Sequence, residues 1–263
     1  MKTPQETTEA AAIAAEKKLA LQHQSPKRQI AAAIADGAYI ALGGLLSTVI
    51  GYGFTEASAG NPSLQKVLSG LTFPIGLVLV VVLGAELFTG NNAVLIAGAW
   101  RRKAGLRDIS ANWSIVWLGN FGGALIVAWL LAHTAGITAA EPYHSAIISI
   151  AQAKCSAPWG VILVRAIGAN WCVCLAVWLA MSSDRLTGKV LGCFLPVAAF
   201  VMLGYEHCVA NMFFIPCGMM EGAAVSVSEM LWRNLVPATI GNIIGGAVFV
   251  GMLQSYLHLR RDR

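Results

Sequence analysis

Apolar runs of about twenty residues, each long enough to cross a bilayer, alternate with short polar stretches along this chain. The first runs from Ile30 to Tyr52, after Ser25-Pro-Lys-Arg28. Past a loop at Asn61-Pro62, the second covers Leu64–Leu83, is interrupted, and resumes to Trp100. The third is Asn112–Ala132, followed by a longer, mostly polar connection that holds Glu141-Pro142 and Lys154. The fourth is Trp159–Met181; the fifth is Lys189–Leu203, interrupted and resumed to Pro216; the sixth is Leu235–Leu257. The pattern predicts an all-α membrane protein with six transmembrane helices. Ahead of it, residues 5–24 form a helix whose apolar face is loose, with Ile13, Ala14, Leu19 and Leu21 beside Glu16, Lys17 and Lys18. An interfacial or docking helix and a frayed tail both fit that pattern. The expected organisation is an N-terminal helical segment (1–28), a six-helix domain (29–258) and a basic tail (259–263).

Two runs break where they should continue. Gly84-Ala-Glu-Leu-Phe-Thr-Gly-Asn-Asn92 interrupts the second, and Gly204-Tyr-Glu-His-Cys-Val-Ala-Asn211 the fifth. Gly84, Glu86 and Asn91 recur as Gly204, Glu206 and Asn211, each 120 positions later. Gly119-Asn-Phe-Gly-Gly-Ala124 in the third span likewise matches Gly241-Asn-Ile-Ile-Gly-Gly-Ala247 in the sixth, with one inserted residue. Each half thus has three spans, broken in the middle one. Because three is odd, the second half lies upside down relative to the first, and both breaks meet near the midplane. The glycines of the third and sixth spans suit close helix–helix approach.

Composition agrees: 57% of residues are hydrophobic and 12% charged, about half the charge of a soluble domain, and the mean hydropathy is +0.66. The net charge of +5 is punctuation between spans, not a nucleic-acid footprint. One side collects Lys2, Lys17, Lys18, Lys27, Arg28, Arg101, Arg102, Lys103, Arg107, Arg185, Lys189, Arg260, Arg261 and Arg263; the other has only Lys66, Lys154 and Arg233. Both termini are therefore expected in the cytoplasm. The N-terminus lacks a signal-peptide core and is expected to stay. The six cysteines have no metal-ligand spacing and read as small buried hydrophobes; no cofactor or metal is expected.

The breaks free backbone donors and acceptors at membrane depth, which is tolerated only against protein or a water-filled cavity. A half-helix N-terminus there favours a small anion. His207 is the group in the breaks whose ordinary titration range lies near physiological pH. It could hold an anion when protonated, or hand over a proton and let the substrate cross as a neutral acid; a purely structural histidine is the plainer alternative. Thr89 and Asn170 could add hydroxyl or amide hydrogen bonds. Glu86 and Glu206 read first as structural carboxylates that accept from freed backbone amides, with an ion site as the rival; Asn91 and Asn211 read the same way. Asp36 and Arg165 should face protein or the interface. Lys154, at the outer mouth, either snorkels or concentrates anions.

The motifs Glu86-Leu-Phe-Thr-Gly, Glu206-His-x-x-Ala-Asn-Met212, Asn170-Trp-x-Val-Cys-Leu-Ala-Val-Trp178 and Ile240-Gly-Asn-Ile-Ile-Gly-Gly246 resemble the formate/nitrite transporter family, from about Ile30 to Leu257. The resemblance implies a homopentamer with an aquaporin-like pore in each protomer, in the cell (inner) membrane. It implies passage of formate, nitrite or hydrosulfide, in some members with a proton. By that resemblance His207 is the central pore histidine, Thr89 the threonine of the first break, Asn170 an asparagine close to the histidine and Lys154 the vestibule lysine. Phe73, Leu77, Leu87 and Phe200 match apolar constrictions on either side of the histidine, and the N-terminal segment matches a helix implicated in gating. Ala153-Lys-Cys-Ser-Ala-Pro158 and Gly204-Tyr-Glu-His207 lean towards nitrite-type members, but Thr89-Gly-Asn-Asn92 departs from their threonine-glycine-histidine. Formate stands first, nitrite second, hydrosulfide third.

Two other classes share parts of the pattern. An aquaporin has six spans and two half-helices, but its paired asparagine-proline-alanine signature is absent here. A membrane metalloenzyme would have to build its site from Glu86, Glu206 and His207, a poor ligand set without a second histidine.

Overall fold

The structure, a computed structural model, describes residues 1–260. Arg261 and Arg263, expected at the end of the basic tail, lie outside the described residues. Helix α1 (Pro4–Gln24) opens on a capping box in which Thr3 and Glu6 satisfy each other's backbone, with proline in the first turn. It is followed by α2 (Pro26–Tyr52), a short α3 (Thr55–Ala59), α4 (Pro62–Thr72), α5 (Ile75–Leu83) and α6 (Phe88–Trp100). Then come α7 (Leu106–Thr134), α8 (Tyr143–Ser156), α9 (Trp159–Met181), α10 (Leu186–Met202), α11 (Cys208–Met220) and α12 (Val227–His258). Among the described residues no strand occurs.

The helices α2, α7, α9 and α12, and the pair α4–α5, are long and apolar enough to cross a membrane. The α4–α5 crossing is broken and resumes as α6, and the remaining crossing is composite, α10 with α11. Phe73-Pro74 separates α4 from α5, as the missing N–H of proline requires. Helices α5 and α10 then stop at Gly84 and Gly204, whose φ of 76° and 69° are left-handed and natural only for glycine.

The polar connection after the third span is not a loop. It contains α8, which packs on α11 as α1 packs on α6. The inverted repeat is thus one element longer than the three spans read from sequence: α1, α2, the first broken helix and α7 recur as α8, α9, the second broken helix and α12. Helix α1 also touches the end of α12, so both chain ends share one face, here the terminal face, with α8 on the distal face. Long helices α7 and α12 pack on α2 and α9 through the expected glycines. A Cβ at Gly123 would sit 1.9 Å from the Ile34 carbonyl oxygen, and one at Gly245 2.3 Å from that of Ile167. Leu118, Val164, Leu195 and Trp232 are exposed on the outside of the bundle, an apolar surface suited to hydrocarbon or to neighbouring chains.

Candidate anion passage

Each break is held by an asparagine from the long helix behind it. Asn120 of α7 accepts from the freed Phe88 N–H at 2.9 Å, and its amide donates to the carbonyls of Ala33 (2.8 Å) and Glu86 (2.9 Å). Asn242 of α12 does the same, accepting from Cys208 N–H (2.8 Å) and donating to Ala166 (2.8 Å) and Glu206 (3.0 Å). These two side chains close the backbone groups that the breaks would otherwise orphan. Both lie inside the Gly-Asn-x-Gly-Gly and Gly-Asn-x-x-Gly-Gly motifs, where only the glycines had been given a role.

The carboxylates do something other than expected. Glu86 and Glu206 do not accept from freed amides; each faces a lysine and an asparagine. Lys18 of α1 donates to Glu86 at 2.8 Å and Lys154 of α8 to Glu206 at 3.0 Å. Asn91 bridges Glu86 (2.8 Å) to Asn112 (2.9 Å), and Asn211 bridges Glu206 (2.6 Å) to Asn234 (2.7 Å). Glu86, Glu206, Asn91 and Asn211 are thus tied to side chains rather than to freed backbone amides. Sequence reasoning missed Lys18, Asn112 and Asn234. Their signal is the repeat itself, since each has a counterpart in the other half.

Between the two breaks stand Thr89 and His207, both buried, with Oγ1 and Nε2 2.9 Å apart. His207 is the N-cap of α11: its Nδ1 accepts the Ala210 N–H at 3.1 Å. An accepting Nδ1 carries no proton, so the imidazole is the neutral tautomer with its proton on Nε2, donated to Thr89 Oγ1. The Thr89 hydroxyl keeps its own proton free for a third group. A second proton on the ring would meet the Ala210 N–H and break the cap. The geometry is thus that of a neutral imidazole at rest.

His207 lies at the floor of a cavity of about 400 Å³ on the distal face. The ring of Phe200 stacks on the imidazole at 5.8 Å, and Phe73 meets Phe200 edge-on at 5.9 Å. Ser47, Thr48, Ser69 and Lys154 line the wider part, with the Lys154 ammonium also 5.6 Å from the Phe214 ring. A second cavity, about 180 Å³, lies towards the terminal face and is lined by Leu77, Leu87, Val177 and Lys18. The four apolar residues singled out from sequence thus fall two and two on either side of His207. All four are nearly inaccessible from outside.

Asn170 is the exception among the expected pore residues. Its amide donates to Thr89 O (3.1 Å), Asn92 Oδ1 (3.1 Å) and Asn242 O (2.6 Å), leaving nothing for a passing ion. It stands behind the passage and fixes the Thr89 backbone, helped by the Cys174 thiol, which donates to the same carbonyl. The cysteines are all unpaired; five are buried and Cys172 half-buried. Asp36 is fully buried, whereas Arg165 is exposed on α9 near the distal end.

A family model described as formate/nitrite transporter matches residues 5–256. A probable formate transporter of Methanothermobacter thermautotrophicus is 41% identical, over 98% of this chain and 98% of its own. The formate channel FocA of Haemophilus influenzae is 35% identical, over 97% and 94%. Among solved structures, an FNT family ion channel superposes with a TM-score of 0.87 at 31% identity, over 96% of this chain and 98% of its own. A pentameric formate channel with formate bound gives 0.76 at 31%, over 90% and 99%.

Proposed function

The chain belongs to the formate/nitrite transporter family, and on that premise we propose that it carries small monovalent anions across the cell membrane, formate first, nitrite second and hydrosulfide third. The relatives are transporters and channels, not enzymes. The protein is a multi-pass membrane protein; its placement in the inner membrane with both ends in the cytoplasm rests on the basic residues of the terminal face. A homopentamer with one passage per protomer accords with the pentameric formate channel that the fold matches.

The observation that carries the reading is the Thr89–His207 bridge, set between two cavities and flanked by Phe73 and Phe200 on one side and Leu77 and Leu87 on the other. Lys154 raises the local concentration of anions in the distal cavity, although Glu206 tempers its charge. Past Phe73 and Phe200 a bare ion loses water, at a cost of several kcal/mol. There the free Thr89 proton is the donor that meets a carboxylate, and Nε2–H backs it through Thr89 Oγ1. A proton arriving with the ion from the distal solution joins the carboxylate oxygen and is released again at the other side. The acid crosses Leu77 and Leu87 as a neutral molecule, and Lys18 receives the anion in the opposite cavity.

The test is a flux panel in proteoliposomes with formate, nitrite, hydrosulfide, acetate and lactate across a pH series. Formate should move fastest, and faster as the source side is acidified. Water or glycerol flux without any anion uptake would sink the proposal and favour a neutral-solute channel.

A further inference from the structure

Asp36 stands in α2 at the level of the first break, one turn beyond Ala32, whose carbonyl accepts the Glu86 N–H. It is fully buried, and neither carboxyl oxygen has a hydrogen-bond partner in the protein. The charged groups that act on it are Lys18, from α1, and Glu86, from the break.

The second repeat lacks this arrangement. Ala33 and Ala166 are matched, because each accepts from the asparagine of its own break; three residues on, Asp36 is matched by Ala169. There Asn234 donates to Lys154 O and to Glu206, and the distal knot sets one lysine against one carboxylate. The terminal-face knot has one lysine for two carboxyl groups. Lys18 can neutralise one of them; a second ionised carboxylate in the same dry place would leave buried charge uncompensated. Two carboxyls near one cation hold a proton between them, and it belongs to the pair.

We propose that Asp36 is a proton-binding site: with Glu86 it holds one proton beneath Lys18 and exchanges it with the terminal-face cavity that Lys18 lines. The inference deepens the transport reading above and rests on it for its consequence. When that face is alkaline the proton leaves, Lys18 faces two carboxylates, and α1 is gripped harder. When it is acidic the grip relaxes. The distal mouth, with Ala169, has no such dependence.

Infrared difference spectroscopy of the reconstituted full-length protein reads the site directly, through the carbonyl stretch of a protonated carboxylic acid. Wild type should show a band that disappears on alkalinisation and is lost in Asp36→Asn and in Asp36→Ala, the residue the second repeat already tolerates. In parallel, formate flux against terminal-face pH should lose one titration step in both variants. No such band in wild type, its survival in Asp36→Asn, or an unmoved flux profile in both variants would overturn the proposal. A wild type that shows the band but moves no formate would instead defeat the transport reading and leave the proton site standing.

Discussion

The two breaks are built on one scaffold and carry different chemistry. Asn120 and Asn242 hold them through the same three hydrogen bonds, and Lys18–Glu86–Asn91–Asn112 is repeated as Lys154–Glu206–Asn211–Asn234. At two positions of the breaks the repeat fails. Leu87, the N-cap of α6, corresponds to His207, the N-cap of α11, and Thr89 corresponds to Val209. Each break supplies one polar and one apolar residue, in opposite order, and the polar ones meet. Symmetry makes the frame; its violation makes the filter.

The comparison can be broken first at the frame. Asn120→Leu leaves the Phe88 N–H and the Glu86 carbonyl unpaired, and Asn242→Leu the Cys208 N–H and the Glu206 carbonyl, at about 1–3 kcal/mol per orphaned group. Both should lower thermal stability in detergent by similar amounts, largest of the changes considered. Unequal losses would show that the two halves share the scaffold in geometry but not in energy. Next comes the filter. His207→Leu puts the first-break residue in the second break, removing both the Nε2–H donor and the α11 cap. Formate flux should fall ~10- to 100-fold, the rate equivalent of a hydrogen bond worth about 1–3 kcal/mol, with little loss of water permeability. Thr89→Val makes the reciprocal change and removes the hydroxyl alone. Its flux loss should be ~5-fold, or ~1 kcal/mol, and its stability close to wild type.

The smallest effect concerns the outer ends of the half-helices, where the charges are reversed. Arg101 ends α6 and pairs with Glu9 of α1. Its counterpart Glu221 ends α11, holding His133 at 3.0 Å, Thr138 at 2.6 Å and, from α8, His144 at 3.5 Å. Burial pushes the Glu221 carboxyl up, but the hydrogen bonds from Thr138 and His133 outweigh it and hold it below the ordinary 4.5. A depressed carboxylate stabilises the fold above its unfolded-state value and stops doing so as pH falls through the folded value. The difference in melting temperature between Glu221→Gln and wild type should therefore be present at pH 7 and shrink as the pH falls below the ordinary glutamate value of 4.5. A difference independent of pH would mean that only packing was lost.

Much of this was legible in the sequence because polar, glycine-bearing interruptions stand out against apolar runs. Gly84–Asn92 and Gly204–Asn211 located the breaks, and the 120-residue offset located their relation. Helix α8 escaped because its sequence, Tyr143–Ser156, mixes polar and apolar residues without a clear face. Asn120 and Asn242 were in view but overshadowed by the glycines beside them, since a capping role depends on a partner more than thirty residues away. Lys18 was one cation in a mixed helix, and nothing local distinguishes it from Lys17. Asn170 was placed at the pore by resemblance alone, and the sequence does not say which neighbours its amide meets; in the structure they are Thr89, Asn92 and Asn242.

The anchoring of α1 has a practical side. Its first residues are tied down: Lys2 N–H donates to Ser182 O at 2.8 Å, and the Lys2 ammonium lies 2.9 Å from Asp184. Removing residues 1–24 would take Lys18 away and leave Glu86 without its cation at the mouth, an electrostatic valve set against the anions it should receive. Flux measurements should therefore be made with α1 in place.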